Sequence, residues 1–437
     1  MRLKYGEGII RADYKPPRRF VEWPTTHIAT LQKPADIINQ ALDKPIGCHP
    51  FNEVFRGARN VLIVVPNSHE VEGAEYFLPI ILARLKKLHA PENEIRLLVA
   101  KTDDREAQKI SFPHLGFAPA QIFRHDPFDH KALAYVGLTR RRTPVFVNRL
   151  LLDADHVLLC GSAGHHPFAG YRGGPQLIVP GCAGHETAAR HFSHALDPEA
   201  PRVQARCRDG LIEGNPLQED AREAFRFITT NFLLNTLWND RRQMIGAVAG
   251  EPLQAFAAAC RAVDDMFQVA IPPRAPSSSF AGEAGANLVI ASCGGFSYDA
   301  DFHAAHTALL HAAHMTRPGG VIIFVAQCRD GLGSVALASW LQEACGDEEA
   351  LDSVSRSMVQ RRFQKQPGDE LIALSTLELA REFRIIMVSE LDDEQVRRLG
   401  FVPAETLQEA LKFAEPFLQD SYSAFLIPNG SLLVPRF

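Results

Sequence analysis

Residues 156–181 read HVLLCGSAGHHPFAGYRGGPQLIVPG, a short apolar run that passes directly into a glycine-rich loop. The run HVLLCG predicts a buried strand, so the loop leaves the carboxyl end of that strand. The glycines of the loop permit positive φ angles and a close approach of the backbone to a ligand. Arg172 can pair with a phosphate or a carboxylate, and the rings of Phe168 and Tyr171 can present faces to a planar group. The segment predicts either a ligand cradle or a tight structural loop.

Apolar runs of strand length alternate with helical periods on both sides of this loop. Such alternation predicts an α/β fold, with two α/β domains built on mostly parallel sheets. Because sites in these folds lie at the carboxyl ends of strands, we expect an active-site cleft between the domains. The predicted strands are NVLIVVP, EIRLLVA, VFVNRL, HVLLCG, MIGAVAG, NLVIASC, VIIFVAQ, IIMVSE and AFLIPNG, and the predicted helices are Gly73–His89, Pro216–Leu237, Pro252–Phe267, Asp301–Met315, Ser334–Phe363, Glu370–Phe383 and Thr406–Leu418.

A domain boundary is predicted at residues 271–287, which read IPPRAPSSSFAGEAGAN. Pro, Ser, Gly and Ala dominate this segment, as is typical of a linker. We therefore assign residues 1–272 to an N-terminal domain, 273–287 to the linker and 288–437 to a C-terminal domain.

Composition and charge exclude several classes of partner. The chain has 437 residues, a formal net charge of −5 and a pI near 6.4, which indicates neither a nucleic-acid-binding nor a membrane-binding surface. No apolar run reaches the length of a membrane span, and the start of the chain lacks the apolar region of a signal peptide. The eight cysteines form no CxxC motif, which favours reduced thiols in a cytoplasmic protein. We expect a small-molecule substrate, and the sequence does not predict an oligomeric state.

Further turns after predicted strands carry polar side chains. Neutral imidazoles bind Zn, Ni, Cu and Fe, so histidines at such turns are candidate metal or substrate ligands. The same polar residues can instead cap helices or lie at a domain interface, so a purely structural role for them stays open. The candidates are Asn67, Ser68 and His69 after NVLIVVP, Asp104 after EIRLLVA, and Gly294, Gly295, His303 and His306 after NLVIASC.

Several segments, taken in order, resemble the nickel-pincer lactate racemases and the related 2-hydroxy-acid racemases and epimerases. The resemblance implies two α/β domains with the active site between them. It also implies a pyridinium-derived cofactor with a nickel–carbon bond that takes hydride from C2 of a 2-hydroxy acid, while a histidine removes the hydroxyl proton. The segments are YGEG (Tyr5–Gly8), the turn at Asn67, HPFAGYRGG with the following VPG, AGEP (Ala249–Pro252), GGFSYDADF and GGVIIFVAQCRDGLG.

The resemblance also implies roles for individual residues. One of the family's two general bases corresponds to His166 and the other to Asp104. The nickel-binding histidine falls near residue 192, so His191 is the predicted ligand and His194 the alternative. Together with the side-chain chemistry above, this predicts a cofactor site at Asn67, Ser68, Phe168, Tyr171, Arg172, Gln176, Gly294 and Gly295, and a substrate site at His69, His303 and His306.

The covalent anchor of the family's cofactor has no counterpart here. The family tethers the cofactor through a lysine, which corresponds to Gln176, and an amide side chain cannot form the thioamide link. We therefore predict a divergent racemase or epimerase that holds a nickel-pincer nucleotide without a covalent bond. Its substrate would be a hydroxy acid that is larger or less anionic than lactate.

Two alternatives remain open at this stage. The first is a zinc- or iron-dependent enzyme of another class on the same scaffold. The second is a relative that binds a small ligand or a partner without catalysis and holds no metal or cofactor. The residues proposed for the zinc or iron site are His69, Asp104, His166, His191, His303 and His306.

Overall fold

The structure is a computed structural model that describes residues 1–23, 28, 30, 32–67, 73–101, 115–197, 199–200, 202–270, 285–343, 356 and 367–436. Among these residues, no helix is both long enough and apolar enough to cross a lipid bilayer.

The first 270 residues contain most of the strands. In chain order the strands are β1 (Arg2–Tyr5), β2 (Gly8–Arg11), β3 (Arg19–Glu22), β4 (Val61–Pro66), β5 (Ile95–Ala100), β6 (Ile122–Arg124), β7 (Leu133–Leu138), β8 (Pro144–Asn148), β9 (His156–Ser162), β10 (Gly164–His166), β11 (Gly170–Arg172), β12 (Phe232–Trp238), β13 (Met244–Gly250) and β14 (Gln268–Ala270). The helices are α1 (Pro34–Asp43), α2 (Phe51–Val54), α3 (Ala74–Lys87), α4 (Leu150–Asp153), α5 (His185–Ser193), α6 (Pro216–Phe225) and α7 (Pro252–Phe267).

The remaining described residues continue the alternation of strands and helices. The strands are β15 (Ala286–Ser292), β16 (Thr316–Val325), β17 (Arg384–Val388), β18 (Val402–Ala404), β19 (Ser423–Ile427) and β20 (Val434–Arg436). The helices are α8 (Phe302–His314), α9 (Val335–Glu343), α10 (Pro367–Glu382), α11 (Asp393–Arg398) and α12 (Leu407–Ala414).

The first large sheet has the strand order β13-β12-β9-β4-β5-β6. Its strands are parallel except for the antiparallel pair β12 and β13. All six residues of β4 are buried; Val61 and Ile63 face one hydrophobic cluster and Leu62 and Val64 face another. Both faces of the sheet are thus covered, which explains why its strands are continuous apolar runs.

The second large sheet is parallel throughout, with the order β18-β17-β16-β15-β19-β3. Its edge strand β3 comes from the start of the chain and pairs with β19. The N-terminal residues therefore pack with the C-terminal unit, which the division at residue 272 does not include. Residues 271–284 lie outside the described residues, so the linker stays a prediction.

The predicted helix Pro216–Leu237 is wrong beyond Phe225. Helix α6 ends at Phe225, and Phe232–Trp238 form the strand β12 in the first sheet. Asn231 immediately precedes that strand, and its side-chain oxygen accepts a hydrogen bond from the N–H of Val157 at 2.8 Å. The apolar run FLLNTLW fits a helix or a strand equally well, and pairing with β9 decides for the strand.

Candidate functional site

His166 lies on a short hairpin that the glycine-rich loop forms after β9. Strands β10 and β11 pair antiparallel, with His166 opposite Gly170. Gly170 has a φ of 83°, and a Cβ there would lie 2.1 Å from the backbone oxygen of Leu211. Only glycine fits this position, and its conformation folds the chain back beside His166.

The imidazole of His166 is fixed by its own turn. Nδ1 accepts hydrogen bonds from the backbone N–H groups of Phe168 and Ala169 at 3.2 and 3.1 Å. Burial, and then the positive charge of Arg172, lower the pKa of His166 to about 4. The ring is therefore neutral at pH 7, carries its proton on Nε2 and presents that nitrogen as a hydrogen-bond donor.

His191 forms a buried pair with a carboxylate. Its Nδ1 on α5 lies 2.9 Å from Oδ2 of Asp220 on α6, and the exposed fractions of the two side chains are 2% and 0%. Burial alone would raise the pKa of Asp220, but the hydrogen bonds that its carboxylate accepts from His191 and Thr139 outweigh burial and lower that pKa. Because a charged carboxylate requires a proton on Nδ1, the neutral ring of His191 has its lone pair on Nε2, the nitrogen that would bind a metal ion.

His194, the alternative metal ligand, uses its Nε2 within the protein. The hydroxyl of Thr143 has one proton, which it donates to Asp220 at 3.0 Å. It therefore accepts a hydrogen bond from Nε2 of His194 at 2.8 Å. Burial lowers the pKa of His194 to about 4. Of the two histidines, His191 is the better placed to bind a metal ion through Nε2.

Arg172 and Gln176 lie on the chain that follows His166. A Cβ on Gly164 would lie 2.6 Å from Nε of Arg172, so the guanidinium covers that backbone. This Nε is buried and has no hydrogen-bond partner among the described residues. A cationic group with a buried, unmet N–H donor fits an anionic part of a ligand. Gln176 is half-buried in a 3₁₀ turn, Gly174–Leu177.

The two aromatic rings of the loop pack into the protein. Phe168 is buried in a hydrophobic cluster that it shares with the second unit, and its ring centroid lies 6.0 Å from that of His306. Tyr171 is also buried, and its hydroxyl donates to Asp264 at 2.7 Å. These contacts indicate structural roles for both rings. Stacking on a planar cofactor stays a prediction.

Gly294 and Gly295 turn the chain after β15, with φ angles of 108° and 87°. A Cβ on Gly295 would lie 2.7 Å from the backbone oxygen of Gly6, and one on Gly294 would lie 3.0 Å from Oδ1 of Asn429. The protein itself fills the space beside both residues. No larger side chain would fit at either position, and a cofactor could contact these two residues only through their backbone atoms.

The two predicted substrate residues on α8 contact α10. Nε2 of His303 lies 3.1 Å from Oδ1 of Asp369. His306 is fully buried, with Nε2 2.9 Å from Oγ of Ser375, and that hydroxyl donates its own proton to Ile372. Burial, and then the charge of His303, lower the pKa of His306 to about 3. The contacts of His306 favour packing, whereas His303 lies beside a carboxylate.

The remaining predicted residues lie at the ends of β4 and β5. Asn67 directly follows β4 and is buried. Ser68, His69 and Asp104 lie outside the described residues, so their predicted roles stay predictions.

Family models match both parts of the chain. Residues 5–202 match the model of the lactate racemase N-terminal domain, and residues 282–434 match that of the lactate racemase C-terminal domain. The chain belongs to the lactate racemase family. This result confirms the family that the motifs indicated.

Individual lactate racemases are similar over nearly the whole chain. The protein from Thermoanaerobacterium thermosaccharolyticum is 26% identical over 408 residues, which cover 92% of this chain and 90% of the relative. The one from Lactiplantibacillus plantarum is 25% identical over 401 residues, which cover 90% and 89%.

Solved structures confirm the predicted α/β fold. The lactate racemase apoprotein from T. thermosaccharolyticum matches with a TM-score of 0.85 and 22% identity, over 100% of this chain and 99% of that chain. A protein from Thermotoga maritima matches with a TM-score of 0.63 and 18% identity, over 92% and 98% of the two chains.

The zinc or iron alternative finds no support in the part of the chain that the structure describes. Within that part, no three His, Cys, Asp or Glu side chains are grouped so that they could hold a metal ion. Four of the six residues proposed for such a site are described, and they do not form one. The other two, His69 and Asp104, lie outside the described residues.

This member of the lactate racemase family has buried polar residues at the site that sequence reasoning missed. Both amide atoms of Asn235 and Oγ of Ser162 are buried and have no hydrogen-bond partner among the described residues. A Cβ on Gly173 would lie 3.1 Å from Nδ2 of Asn235, so this amide borders the loop. A polar residue within the apolar strand FLLNTLW was the available signal. For Asp220 the signal was a carboxylate on the apolar face of α6.

We expect the stability of the protein to fall as the pH decreases from about 6.5 towards 4. Burial lowers the pKa of His125, His166, His306 and His311. In this range the unfolded chain binds protons that the folded chain does not. The free energy of unfolding therefore decreases as the pH is lowered. Urea unfolding at pH 7.5 and pH 5 measures the effect, and equal midpoints would contradict it.

Glu378 has an effect on stability opposite to that of the buried histidines. Burial raises the pKa of its carboxyl to about 8, so its contribution to stability decreases as the pH rises towards 8. His306→Gln replaces the ring N–H that donates to Ser375 with an amide N–H and removes one titrating group. We therefore expect this variant to show a smaller loss of stability between pH 7.5 and pH 5 than the wild type.

Proposed function

We propose that this protein interconverts the C2 epimers of a 2-hydroxy acid and uses a nickel-pincer cofactor that it holds without a covalent bond. The proposal rests on family membership together with one observation. His191 is a buried histidine with its Nδ1 bound to the carboxylate of Asp220 and its Nε2 left for a metal ion. Metal-binding histidines are usually oriented by such a bond to the other ring nitrogen.

The residues present fit that cofactor, with one difference from the family. His191 would bind the nickel, and the unmet donor of Arg172 would pair with an anionic group of the cofactor. Gln176 replaces the tethering lysine and can offer a hydrogen bond but no thioamide link. When bound, such a cofactor supplies an acceptor and donor of hydride at C2 of the substrate.

His166 is proposed to contact the hydroxyl oxygen of the substrate. In the resting tautomer its Nε2–H donates a hydrogen bond to that oxygen, because Nδ1 accepts from two backbone N–H groups. To accept the hydroxyl proton at Nε2, the ring must first give up both of those bonds. Proton removal by His166 is therefore coupled to a change of tautomer. Asp104 is the proposed proton-transfer group on the opposite face of the substrate.

The proposed substrate is less anionic, or larger, than lactate. The resemblance to the family implies an arginine at the position of Glu70 and a lysine at the position of His306, and this chain has neither. His303 does not supply an equivalent positive charge for the substrate, because its Nε2 lies 3.1 Å from the carboxylate of Asp369. Arg172 is the remaining described cation that we assign to the site.

An isotope experiment tests the proposed reaction. The protein, produced together with the enzymes that make the cofactor, is incubated with single enantiomers of 2-hydroxy acids that carry deuterium at C2. Hydride transfer predicts that the opposite enantiomer forms with deuterium retained at C2. Hydrogen from the solvent at C2, or no interconversion across substrates from lactate to long and neutral-substituted acids, would contradict the proposal. The same protein made without the cofactor enzymes is the control.

A further inference from the structure

We propose that Asp220 is a positioning residue that holds His191 in the tautomer and orientation needed to bind nickel. This inference rests on the proposed function, because nickel at His191 is part of that function. Nothing in the sequence motifs assigns a role to Asp220.

The pair is built from two helices and is closed to water. His191 lies in the last turn of α5 and Asp220 in the middle of α6, and their side chains are 2% and 0% exposed. The 2.9 Å separation of Nδ1 and Oδ2 is that of a direct hydrogen bond between the ring and the carboxylate. No solvent competes for either group, so the bond fixes the proton on Nδ1.

The carboxylate of Asp220 is itself held from a third element. The hydroxyl of Thr139 donates to Oδ1 at 2.6 Å, and that of Thr143 lies 3.0 Å from both oxygens. Both threonines lie in the turn between β7 and β8, which is closed by the bond from the N–H of Thr139 to the oxygen of Thr143 at 3.1 Å. The plane of the carboxylate is therefore set before any ligand binds.

The chemistry of a single protein ligand explains why this support matters. The proposed function assigns the metal to one described side chain, the imidazole of His191, so the orientation of that ring controls this contact. A carboxylate on Nδ1–H raises the basicity of Nε2 and prevents the ring from rotating or changing tautomer. Burying a carboxylate has a large desolvation cost, and apolar side chains would fill the same volume without that cost.

The test compares Asp220→Asn with a matched control. Asp209→Asn changes another buried aspartate, whose Oδ2 lies 3.7 Å from Nε2 of His311 and away from His191. Each variant is produced with the cofactor-making enzymes, and the rate at which nickel is lost to a chelator is measured. We expect nickel loss to be about 10- to 100-fold faster in Asp220→Asn and unchanged in Asp209→Asn. Equal rates in wild type and Asp220→Asn would overturn the proposal.

A second readout needs neither nickel nor activity. Nitrogen NMR of histidine-labelled wild-type protein, with His191→Gln to assign the ring, reports which ring nitrogen carries the proton. We expect the Nδ1–H form in the wild type and its loss or mixture with the Nε2–H form in Asp220→Asn. An Nε2–H form in the wild type would overturn the positioning role even if Asp220→Asn does not fold. Wild-type protein that shows the Nδ1–H form but never retains nickel would refute the proposed function and leave the orienting bond confirmed.

Discussion

Replacing His191 with alanine is expected to abolish retention of nickel and, with it, racemisation. The loss should exceed the roughly 10- to 100-fold effect of removing a supporting residue, because the variant removes the proposed ligand itself. His191 contributes a buried imidazole whose Nδ1 is bound to Asp220. Nickel per protein chain after gel filtration, and the rate of interconversion of substrate enantiomers, are the two measurements.

His194→Ala is the matched comparison for that experiment. His194 is three residues away, and its Nε2 already donates to Thr143. We therefore expect His194→Ala to keep most of its nickel. The reverse pattern, with nickel retained in His191→Ala and lost in His194→Ala, would move the metal ligand to His194 and contradict the assignment.

Replacing His166 with alanine is expected to slow racemisation about 10²- to 10⁴-fold, which is the usual contribution of a positioned acid–base group. Nickel retention should not change, because no metal contact is assigned to this ring. The variant removes the Nε2–H donor that the two backbone bonds to Nδ1 fix in place. Initial rates of enantiomer interconversion at pH 7 are the measurement.

His165→Asn is the control for the second variant. His165 is the neighbouring residue on the same hairpin, but its Nε2 lies 2.9 Å from Asp264, away from the proposed proton transfer. We expect its rate to stay close to that of the wild type, because no contact with the substrate is assigned to His165. Full turnover in His166→Ala would remove His166 from the mechanism, and an equal loss in His165→Asn would indicate damage to the hairpin.

The fold followed from the sequence wherever a strand is buried on both faces. NVLIVVP and HVLLCG are continuous apolar runs because helices cover both sides of the sheet. The segment FLLNTLW was predicted as helix, because its local pattern does not distinguish a helix from a strand; its pairing with β9 makes it a strand. It also could not anticipate β3, because the pairing of Arg19–Glu22 with β19 joins residues from opposite ends of the chain.

The position of the loop that carries His166 was predictable from the sequence, and its contacts were less so. The hairpin with His166 follows β9, at the carboxyl end of a central strand, as the motif indicated. The sequence gives no information on which ring nitrogen of His166 accepts, or that Asp220 reaches His191 from another helix. The tertiary structure determines the tautomer of His166 and brings Asp220 into contact with His191. The same limitation applies to Gly294 and Gly295, whose neighbours Gly6 and Asn429 are distant in sequence.

The most direct test is the nickel content and intact mass of the wild-type protein made together with the cofactor-producing enzymes. Mass is recorded under native and under denaturing conditions. We predict close to one nickel per chain and a ligand mass that is present in the native spectrum and absent after denaturation, because Gln176 cannot form a thioamide. A ligand that survives denaturation would contradict non-covalent binding. Protein without nickel or added mass would contradict the proposed cofactor altogether.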